Sequence, residues 1–310
     1  MKLGRFRSRI GPLGLHLFDR TSGLNVLVDE LAQPTSAWSP MPAYLSIALT
    51  NVCDLECSYC YAPKNAAKLR PEDVLRWCIE ADAGDCFGVG FGGGEPTLFP
   101  GFGDLVERLA GSTSLSISFT THAHHLSDDL VERLSHCVHF VRISMDGTGE
   151  VYERLRGRPF AALVDRVRTV ATRIKFGVNV VVNDDTVTCL DDVARTAFGL
   201  GARQLLLLPE VSNGLLQMKS ATLRRLEEWV NLNTDRMPLS VSALGSESLV
   251  VPRLNVSSSR HQDHEFLHID ASGTLKRCAF DNTGIRLRDH PTLSGAIARL
   301  RSTVPLTVLS

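Results

Sequence analysis

Six apolar runs of strand length alternate with six helical patterns between residues 44 and 233 of this 310-residue chain. The runs are YLSIALT (44–50), FGVGF (87–91), LSISFT (115–120), VHFVRIS (138–144), KFGVNVVV (175–182) and QLLLL (204–208). Near-continuous apolar strands that alternate with helices imply a parallel sheet covered by those helices. The first helix opens at Pro71 and carries Val74, Leu75, Cys78 and Ile79 on one face. The others are expected near 101–111, 127–135, 160–173, 189–199 and 220–233, with Gly199 and Gly201 as stop signals for the fifth. Such a chain forms an open doubly wound sheet or a curved, partly closed barrel. In both, functional groups belong on the loops after the carboxyl ends of the strands.

The sequence itself tests that rule. A cysteine-rich loop follows the first run, GGGEP the second, TTHAHH the third, SMDG the fourth and Pro209–Glu210 the sixth. Every unusual polar motif thus falls at one edge of the sheet, which is stronger evidence for a site than any one of them. Composition removes competing classes. Lys+Arg total 33 against Asp+Glu 34, so no global charge draws the chain to nucleic acid or to an anionic membrane. No apolar run reaches the length that spans a bilayer, and MKLGRFRSR leads into Ile10, Gly11 and Pro12 rather than a signal-peptide core. A cytoplasmic protein is the default expectation.

Three of the eight cysteines, Cys53, Cys57 and Cys60, sit in one loop with C-x3-C-x2-C spacing. Cys78, Cys86, Cys137, Cys189 and Cys278 are scattered singly, and a buried apolar role suits most of them. A structural zinc ion needs four ligands, usually as two separated pairs, and no second C-x2-C follows. A fourth ligand would have to be His122, His124, His261 or Cys278. A redox pair at Cys57 and Cys60 leaves Cys53 unexplained. A compact thiolate triad is better suited to three irons of a [4Fe–4S] cube with the fourth iron open.

The loop TNVCDLECSYCY, with Tyr59 just before its last cysteine, resembles the signature loop of the radical S-adenosylmethionine (radical SAM) superfamily. GGGEP resembles that family's glycine–glycine–glutamate motif, RISMDG its S-x-D-G element, YERLRG the segment after it, and VNVVVND its fifth strand. The resemblance runs from about residue 43 to 210. It implies an α/β fold, a partial (β/α)6 TIM-like barrel of parallel strands. It also implies one [4Fe–4S] cluster on Cys53, Cys57 and Cys60, with S-adenosylmethionine completing the open iron. Tyr59 would shield the cluster, Gly93 and Gly94 would let backbone approach the ligand, and Glu95 would accept from the methionine ammonium. Arg156 would pair with the methionine carboxylate, Ser144 with that carboxylate or the ribose, and Asn179 with ribose hydroxyls. Where the family often has T-N-G, this chain has Thr120, Thr121 and His122, which leaves the Thr120 contact open and adds an imidazole.

The implied reaction is reductive cleavage of S-adenosylmethionine to a 5′-deoxyadenosyl radical that abstracts hydrogen from substrate. An electron donor such as flavodoxin or ferredoxin would supply the cluster. His122, His124, His125, Asp146 and Glu210 are the expected substrate-facing residues, with His122, Glu210 and Cys278 the catalytic candidates.

The flanks divide the chain into three expected parts. Residues 1–42 hold a hairpin over 14–30, turning at Thr21, Ser22 and Gly23, and a linker rich in proline over 32–42. Residues 43–215 form the core. Residues 216–310 hold a helix and a small α+β extension, in which LHIDASGTLKRCAFDNTGIRL resembles the start of the SPASM and twitch extensions. Those carry auxiliary clusters on several cysteines, whereas Cys278 stands alone with His261, His264 and His268 upstream. Three functions compete: a radical enzyme acting on a ribosomally made peptide, one acting on a small metabolite or nucleotide, and a non-catalytic metal or electron-transfer protein.

Overall fold

The computed structural model describes residues 2, 3, 6–31, 33–212, 215–242, 249 and 262–303. The chain begins with a four-stranded antiparallel sheet of β1 (Lys2–Leu3), β2 (Phe6–Gly11), β3 (Gly14–Asp19) and β4 (Leu24–Val28), in that spatial order. The hairpin expected over 14–30 is its β3–β4 half. The six expected core strands follow as β5 (Tyr44–Thr50), β6 (Gly88–Gly93), β7 (Ser116–Thr121), β8 (Phe140–Ser144), β9 (Phe176–Val182) and β10 (Leu205–Pro209). A short antiparallel pair, β11 (Val211–Ser212) and β12 (Leu215–Leu216), leads to β13 (Leu239–Val241), β14 (Phe266–Ile269), β15 (Thr274–Lys276) and β16 (Ile285–Arg286).

The main sheet has the order β13-β10-β9-β8-β7-β6-β5-β14-β15-β16, and the eight strands from β13 to β14 run parallel. The parallel run therefore exceeds the expected six strands by two. EFLHIDASGTLKRC (265–278) reads as a hairpin turning at Ala271, Ser272 and Gly273, and β14 and β15 form it, but its first strand is not peripheral: β14 pairs in parallel with β5, from Phe266 beside Tyr44 to Ile269 beside Ile47. Among the described residues β13 and β14 do not pair, so the barrel stays partial.

Helices α1 (Pro71–Ala83), α2 (Phe102–Ser112), α3 (Asp128–Ser135), α4 (Gly149–Arg156), α5 (Phe160–Ala171), α6 (Leu190–Gly199) and α7 (Ser220–Asn233) follow the strands in turn. A single turn, α8 (Gln262–Glu265), and α9 (Leu293–Ser302) complete the set. The strand pleat sorts the core. Val141 and Ile143 of β8, and Val178, Val180 and Val182 of β9, are buried among apolar helix residues such as Leu163, Val167 and Val193. Alternate positions of the same strands face the interior of the half-barrel. Helix α4 lay outside the sequence reading because its one buried side chain is Tyr152, too little for an apolar period. Helix α9 also lay outside the sequence reading; it buries Leu293, Ala296, Ile297 and Leu300, and the Glu80 carboxylate accepts from the N–H groups of Leu293 and Ser294 at its start.

The N-terminal sheet packs at the amino ends of the core strands. Phe18 of β3 lies 5.3 Å from Phe87, which precedes β6, and 6.0 Å from Tyr44 of β5 (ring centroids). Buried Arg9 donates to the carbonyls of Met41 and His264, each at 3.0 Å, and to the Glu265 carboxylate at 3.2 Å. These contacts close the end of the barrel opposite the motif loops.

Candidate functional site

At the carboxyl ends of the strands the half-barrel opens into a cavity of about 760 Å³. Its inner wall is small and polar: Ser46, Gly88, Gly90, Gly92, Ser116 and Ser118 stand where a filled barrel carries bulky side chains. Cys53, Cys57 and Cys60 reach the same cavity from the loop after β5, all three as free thiols. Cys57 is buried, Cys53 half-buried and Cys60 exposed. The backbone N–H of Leu55 points to the Cys53 sulfur at 3.5 Å, and burial pushes the Cys53 thiol up. Tyr61, one residue beyond Cys60, packs on Phe280 at 4.7 Å between centroids, so the turn after β15 lies against this loop.

The glycine motif is held by the protein's own backbone. Gly93 has φ +121°, and a Cβ there would lie 2.2 Å from the Thr50 carbonyl oxygen. A Cβ on Gly94 would lie 2.2 Å from the Val52 carbonyl oxygen. Gly92, one residue earlier, has nothing within 4 Å of its Cβ position. The double glycine thus seats β6 against the cysteine loop, where Gly94 and Glu95 donate N–H bonds to Thr50 and Val52. Glu95 is 1% exposed. One oxygen accepts from the Thr97 N–H at 3.1 Å and from the Thr97 and Thr121 hydroxyls at 2.6 and 2.7 Å; the other accepts from the His122 N–H at 2.9 Å. Its acceptor capacity is largely taken up inside the protein.

The histidines expected to face substrate are tied down instead. Buried His122 brings Nε2 to 2.9 Å from Asp54, in the cysteine loop, and 3.3 Å from Glu95. Exposed His125 meets the second oxygen of Asp54 at 3.0 Å, and Arg158 donates to that oxygen at 2.6 Å. Burial opposes ionisation of Asp54, but His122 and His125 carry its carboxyl down to about 2. His124 sits 3.0 Å from the Tyr152 hydroxyl, and burial, with His122 nearby, lowers it to about 4. Only His122 of the three lines the cavity.

Asp146 is fully buried and does not line the cavity. It accepts from the Tyr59 hydroxyl at 2.7 Å, from Arg156 Nε at 2.7 Å and also from Arg156 Nη2, while its other oxygen accepts from the Val181 N–H at 2.6 Å. Burial and then Asp146 raise the Tyr59 hydroxyl. Burial works against the Arg156 guanidinium, but Asp146 raises it above its usual range. Arg156 and Tyr59 therefore line the cavity as one locked unit, with the guanidinium 5.8 Å over the tyrosine ring.

Thr120 and Ser144 face the cavity and make no side-chain hydrogen bond among the described residues, while buried Asn179 accepts from Arg142 at 3.3 Å. Glu210 and Cys278 do not line it. Glu210 accepts from the Asn183 amide at 2.9 Å, and the Cys278 thiol points to Asp281 at 3.4 Å with burial pushing it up. His264 packs edge-on to Trp38 at 5.1 Å, His268 lines the cavity, and His261 lies outside the described residues. Asp54, Arg142, His268 and the ion pair of Lys276 with Asp270 (2.8 Å) belong to the site or its rim without having been singled out. Strand parity could have found Arg142, since it lies two residues before Ser144.

Comparison with known proteins now fits this geometry. A model of the radical SAM superfamily matches residues 47–197, just under half of the chain. The superfamily uses a [4Fe–4S] cluster and S-adenosylmethionine. The chain is 30% identical over 199 residues to the sporulation killing factor maturation protein SkfB of Bacillus subtilis, covering 61% of this chain and 48% of that protein. It is 32% identical over 173 residues to the mycofactocin maturase MftC of Mycobacterium ulcerans, covering 52% and 46%. The chain thus spans about half the length of these curated relatives. The crystal structure of Streptococcus suis SuiB bound to S-adenosylmethionine superposes with a TM-score of 0.76 at 15% identity, covering 96% of this chain and 89% of that one. At that identity the likeness is one of fold. No helix among the described residues is long and apolar enough to cross a membrane.

Proposed function

We propose that this chain is a radical SAM enzyme acting on a ribosomally made peptide. The observation that carries this reading is the convergence of three free thiols with the unbonded hydroxyls of Thr120 and Ser144 on one cavity. The donor set fits the cluster: three thiols, one with a backbone N–H aimed at its sulfur, would hold three irons and leave the fourth open. When bound, the cluster and S-adenosylmethionine would supply a reducing electron and a hydrogen-abstracting 5′-deoxyadenosyl radical.

The chain's own residues would do the rest. Cys53, Cys57 and Cys60 would ligate the cluster. Thr120, Ser144 and Asn179 would hold S-adenosylmethionine by its polar groups. Glu95 would act as a positioning residue, since it ties the GGGEP turn to Thr121 and His122, and His122 ties it to Asp54 beside Cys53. Arg156 and Tyr59, fixed by Asp146, would set the shape of the cofactor wall. Gly93 and Gly94 would seat that turn under the cluster loop. Tyr61 and Phe280 would limit water at the mouth.

The peptide reading is supported by the maturation and maturase names of SkfB and MftC, and by a fold shared with SuiB, also solved bound to the precursor peptide SuiA. A flavodoxin or ferredoxin is the proposed electron source. The test is anaerobic reconstitution with iron and sulfide, followed by dithionite, S-adenosylmethionine and a panel of peptides, nucleotides and small metabolites. Deoxyadenosine release with a mass change confined to a peptide supports the reading. A mass change confined to a nucleotide or metabolite overturns the peptide class, and no deoxyadenosine at all overturns the enzyme.

A further inference from the structure

One charged group in the cavity is used by none of these roles. Arg142 sits in the middle of β8 with its side chain on the inner face. Nη2 donates to the Gln204 side chain at 2.6 Å and Nη1 to Asn179 at 3.3 Å. Gln204 is fixed in turn by donating to the Ser240 hydroxyl at 2.6 Å. The guanidinium lies 5.3 Å over the Phe140 ring. All of these partners are neutral, and they occupy two of its five N–H donors. Among the described residues no carboxylate lies within ion-pair distance, and burial lowers the Arg142 pKa with no compensating charge.

The other charges of the wall are spoken for. Arg156 has Asp146, Lys276 has Asp270, Glu95 has its four donors, Asp281 accepts from the N–H groups of Arg277 and Cys278, and Lys64, on the cysteine loop at the mouth, donates to the Leu55 carbonyl at 3.2 Å. His268 is buried, bonded to the Ser46 hydroxyl at 3.1 Å and lowered by burial to about 4, so it is neutral near pH 7. A half-buried cation without a counter-charge is costly unless a ligand supplies one. The space beside it is open. The rung His268, Ser46, Gly90, Ser118 crosses four strands to Phe140, two residues below Arg142, with only small side chains at its centre.

We propose that Arg142, oriented by Asn179 and Gln204, is the anchor for a carboxylate of the substrate, and that this wall selects a peptide carrying an acidic side chain or its own free C-terminus at the reacting segment. A planar guanidinium already held at two corners pairs bidentately with a carboxylate at little entropic cost. The inference rests on the peptide reading above for the word substrate, but the site itself is testable without turnover.

The experiment is thermal unfolding of the anaerobically reconstituted protein with S-adenosylmethionine present. The probes are N-acetyl-glutamic acid α-amide for a side-chain carboxylate, N-acetyl-glycylglycine for a C-terminal one, their neutral amide isosteres, and inorganic phosphate at matched ionic strength. Near ten times its Kd an acid probe should raise the wild-type Tm by about 2 °C over its isostere. The rise should vanish in Arg142→Met and shrink in Arg142→Lys, which keeps the charge but not the fork; Lys covers the case that Met does not fold. The stronger acid probe identifies the source. Equal shifts from acids and isosteres, acid shifts that survive in Arg142→Met, or a response to phosphate alone would overturn the proposal. So would loss of the S-adenosylmethionine shift in Arg142→Met, which would assign the guanidinium to the cofactor. Deoxyadenosine release by the same wild-type sample after addition of dithionite separates the two readings: release without an acid shift sinks the anchor alone, and an acid shift without release sinks the enzyme reading alone.

Discussion

Two arginines on the same cavity, fourteen residues apart, are held on opposite terms. Arg156 meets a fully buried carboxylate, Asp146, which also takes the Tyr59 hydroxyl and a backbone N–H. Arg142 meets two neutral amides. The contrast extends to their surroundings. The mouth, where the cysteine loop meets GGGEP and TTHAHH, is a saturated polar network in which Asp54, Glu95, His122 and Asp146 all have internal partners. The inner wall is small and glycine-rich, and its Arg142 meets no carboxylate among the described residues. A saturated network holds a fixed shape, which suits groups that must place a cofactor.

Substitution at the two arginines breaks the comparison most directly. Arg156→Met strands the Asp146 carboxylate in the interior and should cost about 3–5 kcal/mol, read as a lower urea midpoint at unchanged m. Arg142→Met removes a cation that has no counter-charge among the described residues, and the ligand-free protein should be unchanged or slightly more stable. Equal losses at both would show that Arg142 is structural and that the two regions do not differ.

Glycines sharpen the same line at smaller scale. Gly94→Ala drives a methyl into the Val52 carbonyl and should cost about 1–3 kcal/mol or more, with weaker iron retention in the reconstituted protein. Gly92→Ala points into open cavity and should stay within about 0.5 kcal/mol of the parent.

A pH dependence is shared by both regions. His124 at the mouth and His268 on the wall are each lowered to about 4 from the ordinary 6.5. The unfolded chain therefore binds protons that the folded one refuses, so stability is complete above pH 6.5 and falls as the pH drops toward 4. Buried His268 should account for ~2–3 kcal/mol of that fall. His268→Asn, which can keep the bond to Ser46, should flatten the urea midpoint between pH 6.5 and 4. An unchanged slope would mean that His268 is not held neutral.

Much of this was legible before any coordinates. The alternation of strands and helices, and the coincidence of motifs at one edge of the sheet, already implied a parallel α/β core with its site at the carboxyl ends. Side-chain partners were not legible, because they depend on what faces what. Asp146 reads as part of a motif and turns out to be the buried hub for Tyr59 and Arg156. TTHAHH reads as a substrate-facing histidine loop and is mostly a clamp on Asp54. Gly93 and Gly94 invite a ligand on paper, yet the close approach they permit is to Thr50 and Val52. The pairing of β14 with β5 was not legible, because a four-residue strand after an irregular stretch carries no sign of which sheet edge it will join.

The central claim is that three thiols hold a cluster whose fourth iron is kept for S-adenosylmethionine. Its most direct test is electron paramagnetic resonance of the anaerobically reconstituted, dithionite-reduced protein, with and without S-adenosylmethionine. About four irons per chain, a reduced-cluster signal that S-adenosylmethionine shifts, and loss of iron and signal in Cys57→Ala are the predicted results. Bound zinc without iron, or a cluster signal indifferent to S-adenosylmethionine, would contradict the account.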